Sequence, residues 1–201
     1  MAARMTMLPD ERLVALRPEL LAALREGARE VSGAAFADFF DASMRTLLRD
    51  GFDRAGAHEG TVWLLDEARA VLIPRFNSGP HAEQFVGVFR QSVRAGMIGM
   101  VAATEQAICE NEVCKNARQD RTLDEQLRLK TWSMIAVPFY YFGELRGVIS
   151  CVQLQPADSA EPNPPGFSAG HLHGLQLTAG VLSRLIEYRL LELCLGLECL
   201  G

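Results

Sequence analysis

Apolar residues recur at helical spacing through the first fifty positions. Leu13, Leu16, Leu20, Leu24, Ala28 and Val31 stand three or four residues apart, which places them on one side of an α-helix. Asp10, after Pro9, is positioned to cap the first turn. Pro18 lacks an N–H and ends or kinks that turn, so the sturdier helix starts there and runs to Ser32-Gly33. Phe36, Phe39, Phe40, Met44, Leu47 and Leu48 predict a second helix with one apolar face, stopped by Gly51. A face of this kind has to be covered.

Beyond Gly60 the period changes. Thr61-Val62-Trp63-Leu64-Leu65 is β-rich, and the polar turn Asp66-Glu67 separates it from Val71-Leu72-Ile73, which together predict a hairpin. Asn77-Ser78-Gly79-Pro80 is a turn cluster, after which Phe85, Val88, Phe89 and Val93 predict a short amphipathic helix. A loop region carrying Gly96 and Gly99 follows, then a short apolar segment, Ala107-Ile108-Cys109, and a charged stretch from Lys115 to Arg128. Two strong strands come next, Met134–Phe139 and Gly147–Leu154, joined through Gly143-Glu144 and expected to pair antiparallel. Residues 156–166 hold four prolines and a glycine and must form a loop.

The last helix opens at Phe167-Ser168, a hydrophobic staple and N-cap. Leu172, Leu175, Ala179, Leu182, Ile186, Leu190 and Leu193 then form a stripe. Its second half is expected either to lie on the sheet or to pair with another helix. Strands and helices are segregated along the chain, which gives an α+β fold rather than a doubly wound parallel sheet.

Composition narrows the function classes. With 49% apolar and 22% charged residues, the 201-residue chain is expected to fold. Its net charge of −5 opposes nucleic-acid binding, which depends on neutralising phosphates. No run approaches the roughly 20 apolar residues of a membrane span, and the N-terminus lacks a signal-peptide core, so a cytoplasmic protein without membrane contact is expected. Cys109, Cys114, Cys151, Cys194 and Cys199 form no CxxC pair and are read as reduced thiols. No G-x-S-x-G, P-loop or HExxH is present.

Three segments carry a family resemblance. Gly96-Met97-Ile98-Gly99-Met100-Val101-Ala102-Ala103-Thr104, Lys130-Thr131-Trp132-Ser133-Met134-Ile135-Ala136-Val137-Pro138 and Phe142-Gly143-Glu144-Leu145-Arg146-Gly147-Val148-Ile149 resemble, in order and spacing, motifs of the GAF domain family. The resemblance implies a central antiparallel sheet of five or six strands with terminal helices on one face and loops with short helices on the other. It divides the chain into a helical extension (1–34), a GAF domain (35–190) and a helical tail (191–201).

GAF domains sense cyclic nucleotides, haem, bilins, amino acids and other small molecules, or serve as dimerisation elements, so the resemblance does not select a ligand and the cofactor stays unknown. Of the cyclic-nucleotide pattern only Asp124 and Thr131 match, with Asp120 at the aromatic position and Leu127 at the first threonine. The glycine-rich segment has no thiol, unlike the free methionine-(R)-sulfoxide reductase of the family. No cysteine or histidine lies between Asp124 and Thr131 to bind a bilin, and His58, His81, His171 and His173 read as surface residues rather than haem ligands.

The leading expectation is a non-enzymatic sensory or regulatory domain. Its ligand pocket lies between the sheet and the loops from Phe76 to Thr131, lined by Ile73, Phe76, Phe85, Phe89, Ile108, Asn111, Asp124, Thr131, Ser133 and Ile135. A homodimer is expected, and a signalling partner protein is a further candidate. Two alternatives stand beside it. One is a ligand-free scaffold paired through the helices around Leu20–Val31 and Leu182–Leu193. The other is a thiol enzyme or redox sensor using Cys109 and Cys114. No output domain follows Gly201, so the signal is expected to pass through a partner protein, to belong to a lost remainder of the chain, or to be absent.

Overall fold

The computed structural model describes residues 10–33, 35–156 and 161–197, so the expectations for Pro9, Cys199 and the middle of the proline-rich loop lie outside the described residues. Helix α1 (Glu11–Ala15) is capped by Asp10, whose Oδ1 accepts the Arg12 N–H at 2.9 Å. The chain breaks at Leu16 and restarts as α2 (Arg17–Ser32), with Pro18 in its first turn, where a missing N–H costs nothing. Leu24, Ala28 and Val31 are the buried part of the expected stripe, while Leu13 and Leu16 are exposed.

The expected second helix is two helices, α3 (Phe36–Phe39) and α4 (Ala42–Arg54). Asp41 is the reason. Its backbone is extended and its Oδ1 accepts the Met44 N–H at 2.9 Å, which makes it the N-cap of a new helix. Gly51 does not stop α4. A Cβ there would lie 2.6 Å from Thr178 of the last helix, so this glycine permits a close helix approach, and the chain turns instead at Gly56, with φ +68°.

Six strands form one antiparallel sheet: β1 (Glu59–Leu65), β2 (Val71–Asn77), β3 (Gln91–Ser92), β4 (Ile108–Glu110), β5 (Thr131–Tyr141) and β6 (Glu144–Leu154), in the order β3-β2-β1-β6-β5-β4. The expected α+β architecture and the antiparallel pairing of the last two strands are both present. The helix expected over Phe85–Val93 is only α5 (Ala82–Phe85). Gly87, at φ +77°, turns the chain, and Gln91 and Ser92 pair with Leu72 and Val71 as β3.

The expected loop at Gly96 and Gly99 is α6 (Gly96–Thr104). A Cβ on Gly99 would lie 2.6 Å from the Ser92 carbonyl oxygen, so the glycine marks direct packing of helix on strand backbone rather than a break. A 3₁₀ turn (Val113–Lys115) and α7 (Thr122–Leu127) complete this side.

Helix α8 (Ala169–Leu195) opens with the expected cap. Ser168 Oγ accepts the His171 N–H and His171 Nδ1 accepts the Ser168 N–H, both at 3.2 Å. Leu175, Ala179, Leu182, Ile186 and Leu190 are its buried stripe, packed with α2–α4 on one face of the sheet over Val62, Leu64, Phe76, Ile135, Val137, Ile149 and Cys151. The opposite face carries Trp63, Leu65, Leu72, Ala136 and Val148 beneath Phe85, Val101 and Leu127. Among the described residues no helix is long and apolar enough to cross a membrane.

Candidate functional site

On this second face, between the sheet and α5–α7, lies a cavity of about 90 Å³. Its floor follows from strand alternation: Glu59, Thr61 and Trp63 of β1 and Ser150, Val152 and Leu154 of β6 point the same way. Strand β5 reaches it through a bulge. Thr131 pairs with Leu154 and Ser133 with Gln153, leaving Trp132 as the extra residue, so Thr131 and Met134 both line the cavity. The roof is Phe85, Met97 and Ile98 with Gln119, Asp120, Leu123, Asp124 and Leu127.

The polar groups of the wall are mostly fixed by one another. Asp124 Oδ2 accepts the Thr131 N–H at 2.9 Å and the Gln119 Nε2–H at 3.0 Å, while its Oδ1 accepts the Thr131 hydroxyl at 2.8 Å. Gln91 Nε2 donates to Asp120 Oδ2 at 3.1 Å and to the Ala95 carbonyl at 2.9 Å. The Thr122 hydroxyl and N–H, and then Gln91, hold the Asp120 carboxyl below its ordinary range. Trp63 Nε1 donates to Ser150 Oγ at 3.0 Å, and Asn77 Nδ2 donates to Thr61 Oγ1 at 2.9 Å.

One acceptor is left over, and one charge lacks a basic partner. Gln119 Oε1 is buried without a hydrogen-bond partner among the described residues. The buried Glu59 carboxylate meets Asn77 Nδ2 at 3.4 Å and, among the described residues, has no basic side chain within ion-pair distance. An unsatisfied buried acceptor costs about 1–3 kcal/mol, and a bound donor would recover much of it. The cavity is thus rich in acceptors and negative in charge.

Of the residues expected at a pocket, Phe85, Asp124 and Thr131 line this cavity. Ile73 lies instead in a separate groove, and Phe76 and Ile135 belong to the helix-side core. Ser133 is buried and donates to Gln153 Oε1 at 2.8 Å. Phe89 and Ile108 pack at the edge of the second cluster, with the Phe89 ring 6.3 Å from Trp63. Asn111 holds the start of α8, accepting the Phe167 N–H at 2.7 Å and donating to the Phe167 carbonyl at 2.9 Å. Sequence reasoning passed over Glu59, Trp63, Asn77, Gln91 and Ser150. The available signal was a set of polar residues inside otherwise apolar strands, all on one face.

Cysteine and histidine contribute nothing to the lining. Cys151 is buried on the helix face, and burial pushes its thiol up. Burial and then the Glu110 charge raise the Cys109 thiol, which donates to the Phe167 carbonyl. His58 Nδ1 accepts the Leu154 N–H and His171 serves the α8 cap. Sites for cofactor-sized ligands commonly span ~300–1,000 Å³, so this cavity does not enclose a whole cyclic nucleotide, haem or bilin in the conformation seen.

A family model described as GAF domain matches residues 34–187. No curated protein matches the chain. Among solved structures, the GAF domain of a phosphoenolpyruvate-protein phosphotransferase from Coxiella burnetii is similar at 19% identity, with 84% of this chain and 93% of that one covered and a TM-score of 0.61. The GAF domain of the corresponding Acinetobacter protein is similar at 20% identity, with 85% and 94% covered and a TM-score of 0.57. A type II free methionine-R-sulfoxide reductase from Thermoplasma acidophilum is similar at 16% identity, with 80% and 95% covered and a TM-score of 0.53. At these identities the likeness is one of fold.

Proposed function

Because the chain belongs to the GAF domain family, a sensory and regulatory family, we propose that it is a non-enzymatic module that binds a small molecule in the cavity beneath β1, β5 and β6. The observation that carries the reading is the buried Gln119 Oε1, which has no partner among the described residues, beside a Glu59 carboxylate with no basic partner there, in a largely apolar wall. They fit a ligand that brings hydrogen-bond donors, with an ammonium group the best match to the negative charge. At about 90 Å³ the cavity is smaller than the ~150 Å³ space that takes benzene, so the ligand, or the part of it held there, is a few heavy atoms in size. A wall without cysteine or histidine supports binding rather than thiol or imidazole chemistry.

Trp63 in the floor supplies the readout. Titration with ethylammonium, acetamide and acetate, followed by tryptophan fluorescence, should rank them in that order. A preference for acetate, or no saturable response to any of the three, would sink the ligand assignment.

A second reading concerns assembly. The outer face of α8 exposes Leu177 (59%), Val181 (49%) and Tyr188 (62%) at spacings of four and seven, and α1 exposes Leu13 and Val14. This stripe supports a homodimer formed through the terminal helices, with ligand state passed to a partner through α8. Sedimentation equilibrium of the wild type and of Leu177→Glu/Val181→Glu tests it: a dimer that dissociates in the variant is expected, and a monomeric wild type would remove this reading.

A further inference from the structure

A second concave region lies at the other side of the molecule and shares no lining residue with the cavity. It is a groove of about 610 Å³ between the C-terminal end of α2, the middle of β2 and the start of β6. Four arginines line it: Arg29, Arg69, Arg75 and Arg146.

Two of them reach it by the same backbone device. Along β1–β2, Val62 pairs with Phe76 and Trp63 with Pro74, so Arg75 is the extra residue of a β-bulge. Along β5–β6, Phe139 pairs with Gly147 and Tyr140 with Leu145, so Arg146 is the extra residue of another. A bulge re-aims a side chain that strict alternation would send elsewhere. Two bulges on strands of one sheet here deliver two guanidinium groups to one groove.

Neither guanidinium is fully used. Arg146 is only 7% exposed, lies over the Tyr141 ring at 5.2 Å and pairs through Nη2 with Glu144 at 2.9 Å, yet its buried Nε has no partner among the described residues. Arg75 is half-buried. Its Nε is buried without a partner, and among the described residues it makes no ion pair. Burial, and then the like charge of Arg90, work against the charged form of Arg75.

The carboxylates that line the groove, Asp66, Glu67 and Glu144, leave Arg75 without an ion pair among the described residues. Asp66 Oδ1 accepts the Ala70 and Val71 N–H groups of the β1–β2 turn, and Glu144 is held by Arg146. Buried guanidinium without a counter-ion is costly, and a planar fork of donors suits an oxyanion in particular.

We propose that this groove is a second binding site, for a small multivalent oxyanion bearing phosphate or carboxylate groups, gripped between Arg75 and Arg146. It is independent of the cavity ligand, and its size suits a small metabolite.

The test uses inorganic pyrophosphate and citrate as probes at constant ionic strength set with chloride, read by isothermal titration calorimetry and by the melting temperature. One saturable site per chain is expected, and whichever probe binds more tightly identifies phosphate or carboxylate as the preferred class. Arg75→Gln should weaken that binding at least tenfold while the free variant melts no lower than the wild type, because Arg75 makes no structural pair. Arg146→Gln is a poorer variant, since it also removes the stack on Tyr141. Absence of saturable binding, binding unchanged in Arg75→Gln, or a clear loss of stability in the free Arg75→Gln protein would each overturn the proposal.

Discussion

Thr131 donates to both carboxylate oxygens of Asp124, its N–H to Oδ2 at 2.9 Å and its hydroxyl to Oδ1 at 2.8 Å. This two-point clasp ties α7 to the first residue of β5 across seven positions of chain, and so sets one wall of the cavity. Asp124→Ala removes the acceptor of both bonds and orphans the Thr131 N–H. A loss of ~1–3 kcal/mol in urea unfolding is expected, with Thr131→Val costing less because its N–H bond survives. A double-mutant cycle should show strong coupling between the two; additive losses would mean that the clasp does not act as a unit.

Two glycines predict opposite outcomes for the same substitution. At Gly147 a Cβ would fall 1.8 Å from the Trp63 carbonyl oxygen, so Gly147→Ala forces β1 and β6 apart and is expected to destabilise severely. At Gly174, within α8, nothing lies within 4 Å, so Gly174→Ala gains helix propensity and should stabilise by about 0.5–1 kcal/mol. Thermal unfolding of the two variants side by side checks both signs.

Neither Cys109 nor Cys151 should show an activated thiol. Burial and Glu110 hold the Cys109 thiol up, and Cys151 is buried. Alkylation by iodoacetamide at pH 7, followed site by site by mass spectrometry, is expected to leave Cys151 untouched and to label Cys109 no faster than a free thiol, with the Cys109 rate climbing as pH rises. Rapid labelling of Cys109 at pH 7 would instead favour the thiol-based alternative.

Tyr140 adds a pH dependence of known sign. Burial first, and then its hydrogen bond to Glu105 at 2.7 Å and that carboxylate's charge, push the phenol up to about 12. A group raised in the folded state contributes stability that is complete below its unfolded value of ~10 and is lost as pH climbs through the folded value. Wild type should therefore lose stability between about pH 10 and 12 more steeply than Tyr140→Phe, as read from urea midpoints across that range.

Much of the architecture was legible from period and capping. The α2 stripe, the β5–β6 pair and the Ser168 cap follow from local rules that tertiary packing did not override. Glycine was the least transparent residue. Gly51 and Gly99 read as breaks, yet both sit inside helices where a neighbouring element approaches too closely for a side chain, and such contacts are invisible in a single chain of letters. The candidate site was only partly legible for a related reason. Phe76, Ser133 and Ile135 stand one residue away from cavity positions, and with a side-chain period of two that offset sends each of them to the helix face. The bulges beside Phe76 and Thr131, which shift the alternation, arise from pairing across strands and leave no local mark.

The central claim is that a small donor-bearing molecule occupies the cavity over Glu59 and Trp63. Native mass spectrometry of the wild type and of Val152→Phe, which places a ring in the cavity, in the presence of ethylammonium, tests it most directly. The account predicts a one-to-one adduct on the wild type that is reduced in Glu59→Gln and absent from folded Val152→Phe. An adduct of equal abundance on all three proteins, or on none, would contradict it.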